Sequence, residues 1–168
     1  MRPVPYLAQT TAGGCGPCSF IMVARYFDPG LSLTEEEALK EFGFGDRPRH
    51  FALVPCFTYA AKAFGLKAEI KSMDRATLQG ELATGPVIVL HKASEEPDAL
   101  PHFTVALAGT ATHVTRHDPG LGAEVVDDWE RFERLWSAVK MDWFPFAGNQ
   151  AVVLRPELQN VSLGVQAV

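Results

Sequence analysis

The stretch QTTAGGCGPC, residues 9–18, sets two thiols and a side-chain amide at spacings that could do chemistry. Cys-Gly-Pro-Cys is the spacing of a dithiol redox centre, in which Cys15 and Cys18 would exchange a disulfide. Gln9 also stands six residues ahead of Cys15. That arrangement suits a thiol nucleophile whose oxyanion takes a side-chain donor. The two chemistries need different surroundings. A dithiol redox domain carries its motif after a buried strand in an alternating βαβ unit. Only fourteen residues precede Cys15, and RPVPYLAQTTAGG holds no apolar strand of useful length. The surroundings weigh against redox chemistry.

A cysteine hydrolase needs a thiolate, a base, a group that orients the base, and oxyanion donors. GPCSFIMVARYF, from Gly16 to Phe27, is apolar nearly all round with Arg25 as its only charge, so it reads as a buried helix. Pro17 suits its first turn. Cys15 then opens the helix, where its own main-chain N–H can face an oxyanion. The Gln9 amide can supply a second donor. Gly13, Gly14 and Gly16 leave room for a substrate carbonyl.

The base should be one of five histidines: His50, His91, His102, His113 and His117. His102 opens HFTVALA, where an imidazole can face a cleft while Phe103, Val105 and Leu107 face the core. Asp118 ends the next strand, THVTRHD, and can orient it. A two-residue turn at Gly109-Thr110 would set His102 opposite His117. A three-residue connection would set it opposite Asp118. Alignment of His102 with Asp118 thus requires the odd connection or a bulge, because a one-residue slip flips the face.

VPYLAQ, CGPCSFIMVARYF, HFTVAL and HDPG, in that order, resemble the bacteriocin-processing, double-glycine-leader cysteine peptidases and their papain-like relatives. Gln9 to Cys15 is six residues and His102 to Asp118 is sixteen, as in that family. The likeness runs from Val4 to about Leu154 and takes in Trp136. It implies an α+β, papain-like fold, with an N-terminal helical lobe carrying the cysteine and a C-terminal antiparallel sheet lobe carrying histidine and aspartate. It implies Cys15 as nucleophile, His102 as general base and then acid, Asp118 as orienter and Gln9 as oxyanion donor. It implies cleavage of a peptide or protein substrate through an acyl-enzyme, with no cofactor and no metal. The family members best known for leader cleavage are fused to a transporter, so the Gly-Gly rule does not carry over with the motifs. A thiol–disulfide oxidoreductase, an acyl or peptidyl transferase, and a non-catalytic binding module on this fold are the alternatives.

The remaining elements should position that set. LTEEEALKEFG carries a Thr34–Glu37 capping box, so Glu35, Glu36 and Glu37 read as a first helical turn rather than an acid/base pair. DRPRH, 46–50, reads as a polar loop. Helices follow over Pro55 to Phe64 and from Asp74 to Ala83, with the strand LKAEIKS between them. PVIVLH, HFTVALA and THVTRHD read as neighbouring strands, DDWERFERLW as a short helix with Trp129, Phe132 and Trp136 on one face, and NQAVVLR as a last strand. Helices first and antiparallel strands second is an α+β order. Cys18 and Cys56 read as core residues, His113 and His117 as a solvated strand face. KASEEPDALP, 92–101, reads as a solvated hairpin or a cleft-edge loop.

Composition narrows the class further. With 168 residues, 47% of them apolar and 21% charged, residues 1–168 are expected to form one domain with a real core. A net charge of −5 without a Lys/Arg run argues against nucleic acid as a partner. Three cysteines make a disulfide framework unexpected. No apolar run approaches the length of a membrane span, and MRPVPYLAQTTAGG lacks a signal-peptide core. A cytoplasmic protein is the expectation.

Overall fold

The computed structural model describes residues 2–43, 52–139 and 148–157. The polar loop expected at 46–50, with His50, lies outside them. Three helices come first: α1 (Cys15–Phe27), α2 (Glu35–Glu41) and α3 (Cys56–Ala63). Strand β1 (Leu66–Ser72) and helix α4 (Arg75–Leu82) follow, then β2 (Val87–Lys92), β3 (Pro101–Gly109), β4 (His113–Asp118), β5 (Gly122–Asp128), α5 (Trp129–Ser137) and β6 (Gln150–Pro156). The strands form one antiparallel sheet in the order β1-β6-β2-β3-β4-β5.

Local chemistry starts and stops these elements. The Thr34 hydroxyl accepts from Glu37 N, and the Glu37 carboxylate accepts from Thr34 N, so the capping box forms. Asp74 and Asp128 cap α4 and α5 by accepting from the main-chain N–H three residues on. Gly65, at φ 65°, makes the turn from α3 into β1, a conformation costly for residues with a Cβ.

Both faces of the sheet are covered. Ile88, Leu90, Phe103, Val105, Val152 and Leu154 join Phe20, Ile21 and Phe57 of the first three helices in one core. Val87, Val89, Ala106, Val114, Ala151 and Val153 join Leu78, Phe132 and Trp136 of α4 and α5 in a second. Central strands buried on both faces read as continuous apolar runs, which is why VIVL shows no alternation. Apolar burial on this scale is the main stabilising term of the fold.

Strand β5 is absent from the sequence reading. GAEVVDD is an edge strand with exposed charges, and Val126 is solvent-exposed. Edge strands carry charge and little apolar pattern, so periodicity does not reveal them.

Candidate active site

Helix α1 holds Cys15 at its first position, 7% exposed, and buries every residue from Cys15 to Ala24. The nucleophile candidate is thus fixed to a rigid element, with the unpaired N–H groups of a helix start beside it. Pro17 stands in the first turn, as expected.

His102 and Asp118 meet through a register shift. The β3–β4 turn falls at Ala111–Thr112, where Thr110 N donates to His113 O at 2.8 Å. That is two residues later than expected, so neither His102–His117 nor His102–Asp118 is a facing pair. Next to the turn, Gly109 pairs with Val114 and Ala108 with Thr115. Continued unchanged, this register would put Asp118 opposite Val105, on the wrong face. A β-bulge between Ala106 and Ala108 shifts it, and Val105 pairs with His117. Asp118 then shares a face with His102, two residues along, close enough for side chains to touch. His102 Nε2 donates to Asp118 Oδ1 at 2.7 Å. The bulge, one of the two devices the alignment required, is what aligns the pair.

Asp118 is 1% exposed and saturated with donors. Gly120 N and Leu121 N donate to its Oδ1 at 2.9 and 3.2 Å, and Arg116 donates to its Oδ2. Burial alone would raise its pKa; the hydrogen bonds and charges of His102 and Arg116 outweigh this and hold the carboxyl well below the usual range. Burial likewise opposes charge on His102, but hydrogen bonds to Asp118 and to Cys15 raise it to about 9. With Nε2 held by Asp118, Nδ1 is the nitrogen left to face the thiol.

Arg116 is a site residue that the sequence reading missed. It is 2% exposed and also donates from Nε to Asp127 at 2.7 Å, and Asp127 accepts from Arg131. Arg116 and Asp118 alternate on one strand, so a shared face was legible. Asp127 was not, because it lies on β5.

Gln9 approaches the same place. Its main-chain N–H donates to Pro119 O at 3.0 Å, and Tyr6 Oη donates to Asp118 O at 3.2 Å. The N-terminal segment is thereby tied to the Asp-Pro-Gly turn. A Cβ on Gly120 would lie 3.6 Å from both Gln9 Oε1 and His102 Cε1. Gln9 Nε2 donates to Thr11 O at 2.9 Å, and its Oε1, buried without a protein partner, is the amide atom on the Gly120 and His102 side. Glu35 braces this loop from α2, accepting from the N–H and hydroxyl groups of both Thr10 and Thr11 at 2.5–3.1 Å. A Cβ on Gly14 would fall 2.0 Å from Glu35 Oε1, so a larger residue there would push the Glu35 carboxylate off Thr10 and Thr11. Glu35 has a positional role beyond its helix turn.

Two other readings resolve. Cys18 is fully buried; burial first, then Glu35, push its thiol far above the ordinary range. A thiol held protonated is a poor partner for disulfide exchange. Cys18→Ala should therefore leave peptidase activity within about threefold and cost about 1 kcal/mol of stability; loss of activity in a steady-state assay would contradict this. His117 is buried rather than solvated, donating from Nε2 to Val4 O at 2.9 Å and accepting from Glu124 N at 3.1 Å. No cluster of metal-ligating side chains occurs among the described residues.

A family model described as the peptidase C39 family matches residues 3–142. The chain belongs to the peptidase C39 family. It is a cysteine peptidase on a papain-like fold. The peptidase domain of Streptococcus ComA, a bifunctional ABC transporter, superposes with a TM-score of 0.71 at 20% identity, over 92% of this chain and 99% of that one. A double glycine motif protease from an AMS/PCAT transporter, solved with its leader peptide, gives 0.67 at 22%, over 92% of each chain. A C39-like peptidase from Bacillus anthracis gives 0.68 at 18%, over 89% and 92%. None of the curated proteins matches. No helix among the described residues is long and apolar enough to cross a membrane.

Proposed function

We propose that this C39 peptidase cleaves a peptide or protein segment with Cys15 as nucleophile, His102 as base and then acid, Asp118 as orienter, and Gln9 with the Cys15 N–H as oxyanion donors. The observation that carries this is the series in which Asp118 holds His102 by a 2.7 Å hydrogen bond and His102 lies beside Cys15 at the start of α1. A peptide ligand accords with the leader peptide held by the double glycine motif protease.

The proton follows that series. His102 Nδ1 takes the thiol proton, and Asp118 steadies the imidazolium. Sγ attacks the carbonyl carbon, and the oxyanion faces the Gln9 amide and the Cys15 N–H. The imidazolium gives its proton to the leaving amine as the C–N bond breaks, leaving a thioester. Neutral His102 then takes a proton from water, whose oxygen attacks the thioester carbon. The acid leaves and the thiolate is restored. Acid-quenched mass spectrometry should find the acyl group on Cys15 alone, with one equivalent of amine released. Products without that adduct would contradict the scheme.

The pH dependence follows from the same groups. A raised His102 stabilises the fold fully below its unfolded value of about 6.5, and the gain is lost as pH rises through about 9. A depressed Asp118 contributes above its unfolded value of about 3.9, and that gain is lost only as pH falls towards its native value. Denaturation midpoints should be highest between about pH 5 and 6.5 and decline towards pH 9. In Cys15→Ala the alkaline decline should begin earlier, because one partner holding the proton is gone.

A further inference from the structure

Thr11 is the hub of the loop that joins Gln9 to Cys15. Its carbonyl oxygen accepts from Gln9 Nε2 at 2.9 Å and from Gly14 N at 3.1 Å. The first bond holds the side-chain amide that the mechanism above assigns to the oxyanion. The second shapes the turn into the helix that opens with Cys15. Thr11 is held in turn from outside the loop. Glu35 Oε1 accepts from the Thr11 N–H at 3.1 Å and hydroxyl at 2.5 Å, while Oε2 accepts from the Thr10 N–H and hydroxyl at 2.7 and 2.8 Å. We infer that Glu35 is a positioning residue for the oxyanion hole: through Thr11 it sets Gln9 against Cys15, without itself touching the reacting atoms. This rests on the reading of Gln9 as an oxyanion donor and extends it to the group that places the donor.

A carboxylate offers about four lone-pair sites, and four donors meet it here. Two of them are main-chain N–H groups, so the carboxylate fixes the path of the loop and not only its side chains. Burial alone would raise the Glu35 pKa; the hydrogen bonds from Thr11 and Thr10 outweigh it and hold the carboxyl below its ordinary range. The clamp thus stays ionised, which strengthens each bond it accepts. Its own base is rigid. Glu35 is the first residue of α2, started by the Thr34–Glu37 capping box, and Leu33 and Ala38 on either side are buried in the core with Phe20 and Ile21 of α1. A Cβ on Gly14 would lie 2.0 Å from Glu35 Oε1 and 3.1 Å from Gln9 Cβ. Gly14 therefore leaves room for Glu35 and Gln9 at one point, directly before Cys15.

A displaced donor matters in one kind of reaction. An oxyanion forms only when Sγ attacks a carbonyl, and removing one donor from such a hole costs about 10²–10³ in kcat. Alkylation by iodoacetamide forms no oxyanion; it reports the thiolate that His102 helps to make. The two reactions together separate a displaced hole from a damaged cysteine.

The test uses the full chain and one fluorogenic peptide, chosen from a randomised mixture by wild-type cleavage. Glu35→Ala should lower kcat about 10- to 100-fold, with KM and the Cys15 alkylation rate within about threefold of wild type. Glu35→Gln keeps one oxygen for two of the four donors and should lose less. Should alanine unfold the chain, the same pattern is read on Glu35→Gln. In a Gln9→Ala background, Glu35→Ala should cost little more, because the donor it places is already gone. Equal losses of kcat and alkylation would make Glu35 a support of the cysteine alone. Multiplying losses in the double variant would make its effect independent of Gln9. Either result overturns the inference, as would an unchanged kcat in Glu35→Ala where Gln9→Ala is slow, and each leaves the peptidase reading standing. An unchanged kcat in Gln9→Ala would overturn both the inference and Gln9 as donor. No cleavage of any peptide by wild type would overturn the peptidase reading itself.

Discussion

Replacing Cys15 with alanine is expected to lower the peptidase rate on the order of 10⁶-fold, as when a covalent hydrolase loses its nucleophile. The fold should survive, because the side chain is small and alanine favours the helix that carries it. His102→Ala should cost nearly as much, and the double variant little more, since both residues act in one step. Steady-state kinetics on a single peptide, with titration of active sites, separates these outcomes. Additive losses would mean that the two residues do not share a proton. Retention of activity in Cys15→Ala would place the nucleophile elsewhere.

The second large effect is expected at Arg116. Its guanidinium joins two buried carboxylates, Asp118 and Asp127. Arg116→Met would leave Asp118 ionised and buried with one partner fewer. Removing one member of a buried ion pair costs about 3–5 kcal/mol, so the urea midpoint should fall accordingly. A purely structural loss would stop there. Because Arg116 also helps hold the Asp118 carboxyl low, the acid limb of the activity profile should move to higher pH. Arg116→Lys should restore only part of both, since an ammonium lacks the two-sided fork of the guanidinium. An unchanged pH profile in a folded Arg116→Met variant would show that Arg116 does not act through Asp118.

What the sequence disclosed follows its physics. Helix α1 was legible because an apolar run, a first-turn proline and a following Asp-Pro-Gly all agree. The capping box at Thr34 and the cap at Asp74 were legible because they depend on neighbours in sequence. The Cys15, His102, Asp118 and Gln9 set emerged from order and spacing, and the requirement for a bulge or an odd connection emerged from parity alone. The location of the turn did not. Gly109-Thr110 looks like a turn, yet the chain turns at Ala111–Thr112, and Gly109 sits within the strand against the Trp129 ring. Tertiary contact overrode the local signal. His117 was misplaced on the surface because its partners, Val4 O and Glu124 N, come from an N-terminal segment and a strand that periodicity does not reveal. The role of Arg116 is not legible for the same reason: its second carboxylate, Asp127, lies on β5. Glu35 is legible as a first helical turn, but its hold on Thr10 and Thr11 is a contact across 25 and 24 residues.

The central claim is that Cys15 is activated through His102. The most direct measurement is the alkylation rate of each cysteine in wild type and in His102→Ala, resolved by mass spectrometry across pH. At about pH 6 an ordinary thiol is almost wholly protonated and reacts slowly. Cys15 should outpace Cys18 and Cys56 there, and His102→Ala should erase that lead while leaving Cys56 as it was. A Cys15 that reacts no faster than Cys56, or equally fast without His102, would contradict the account.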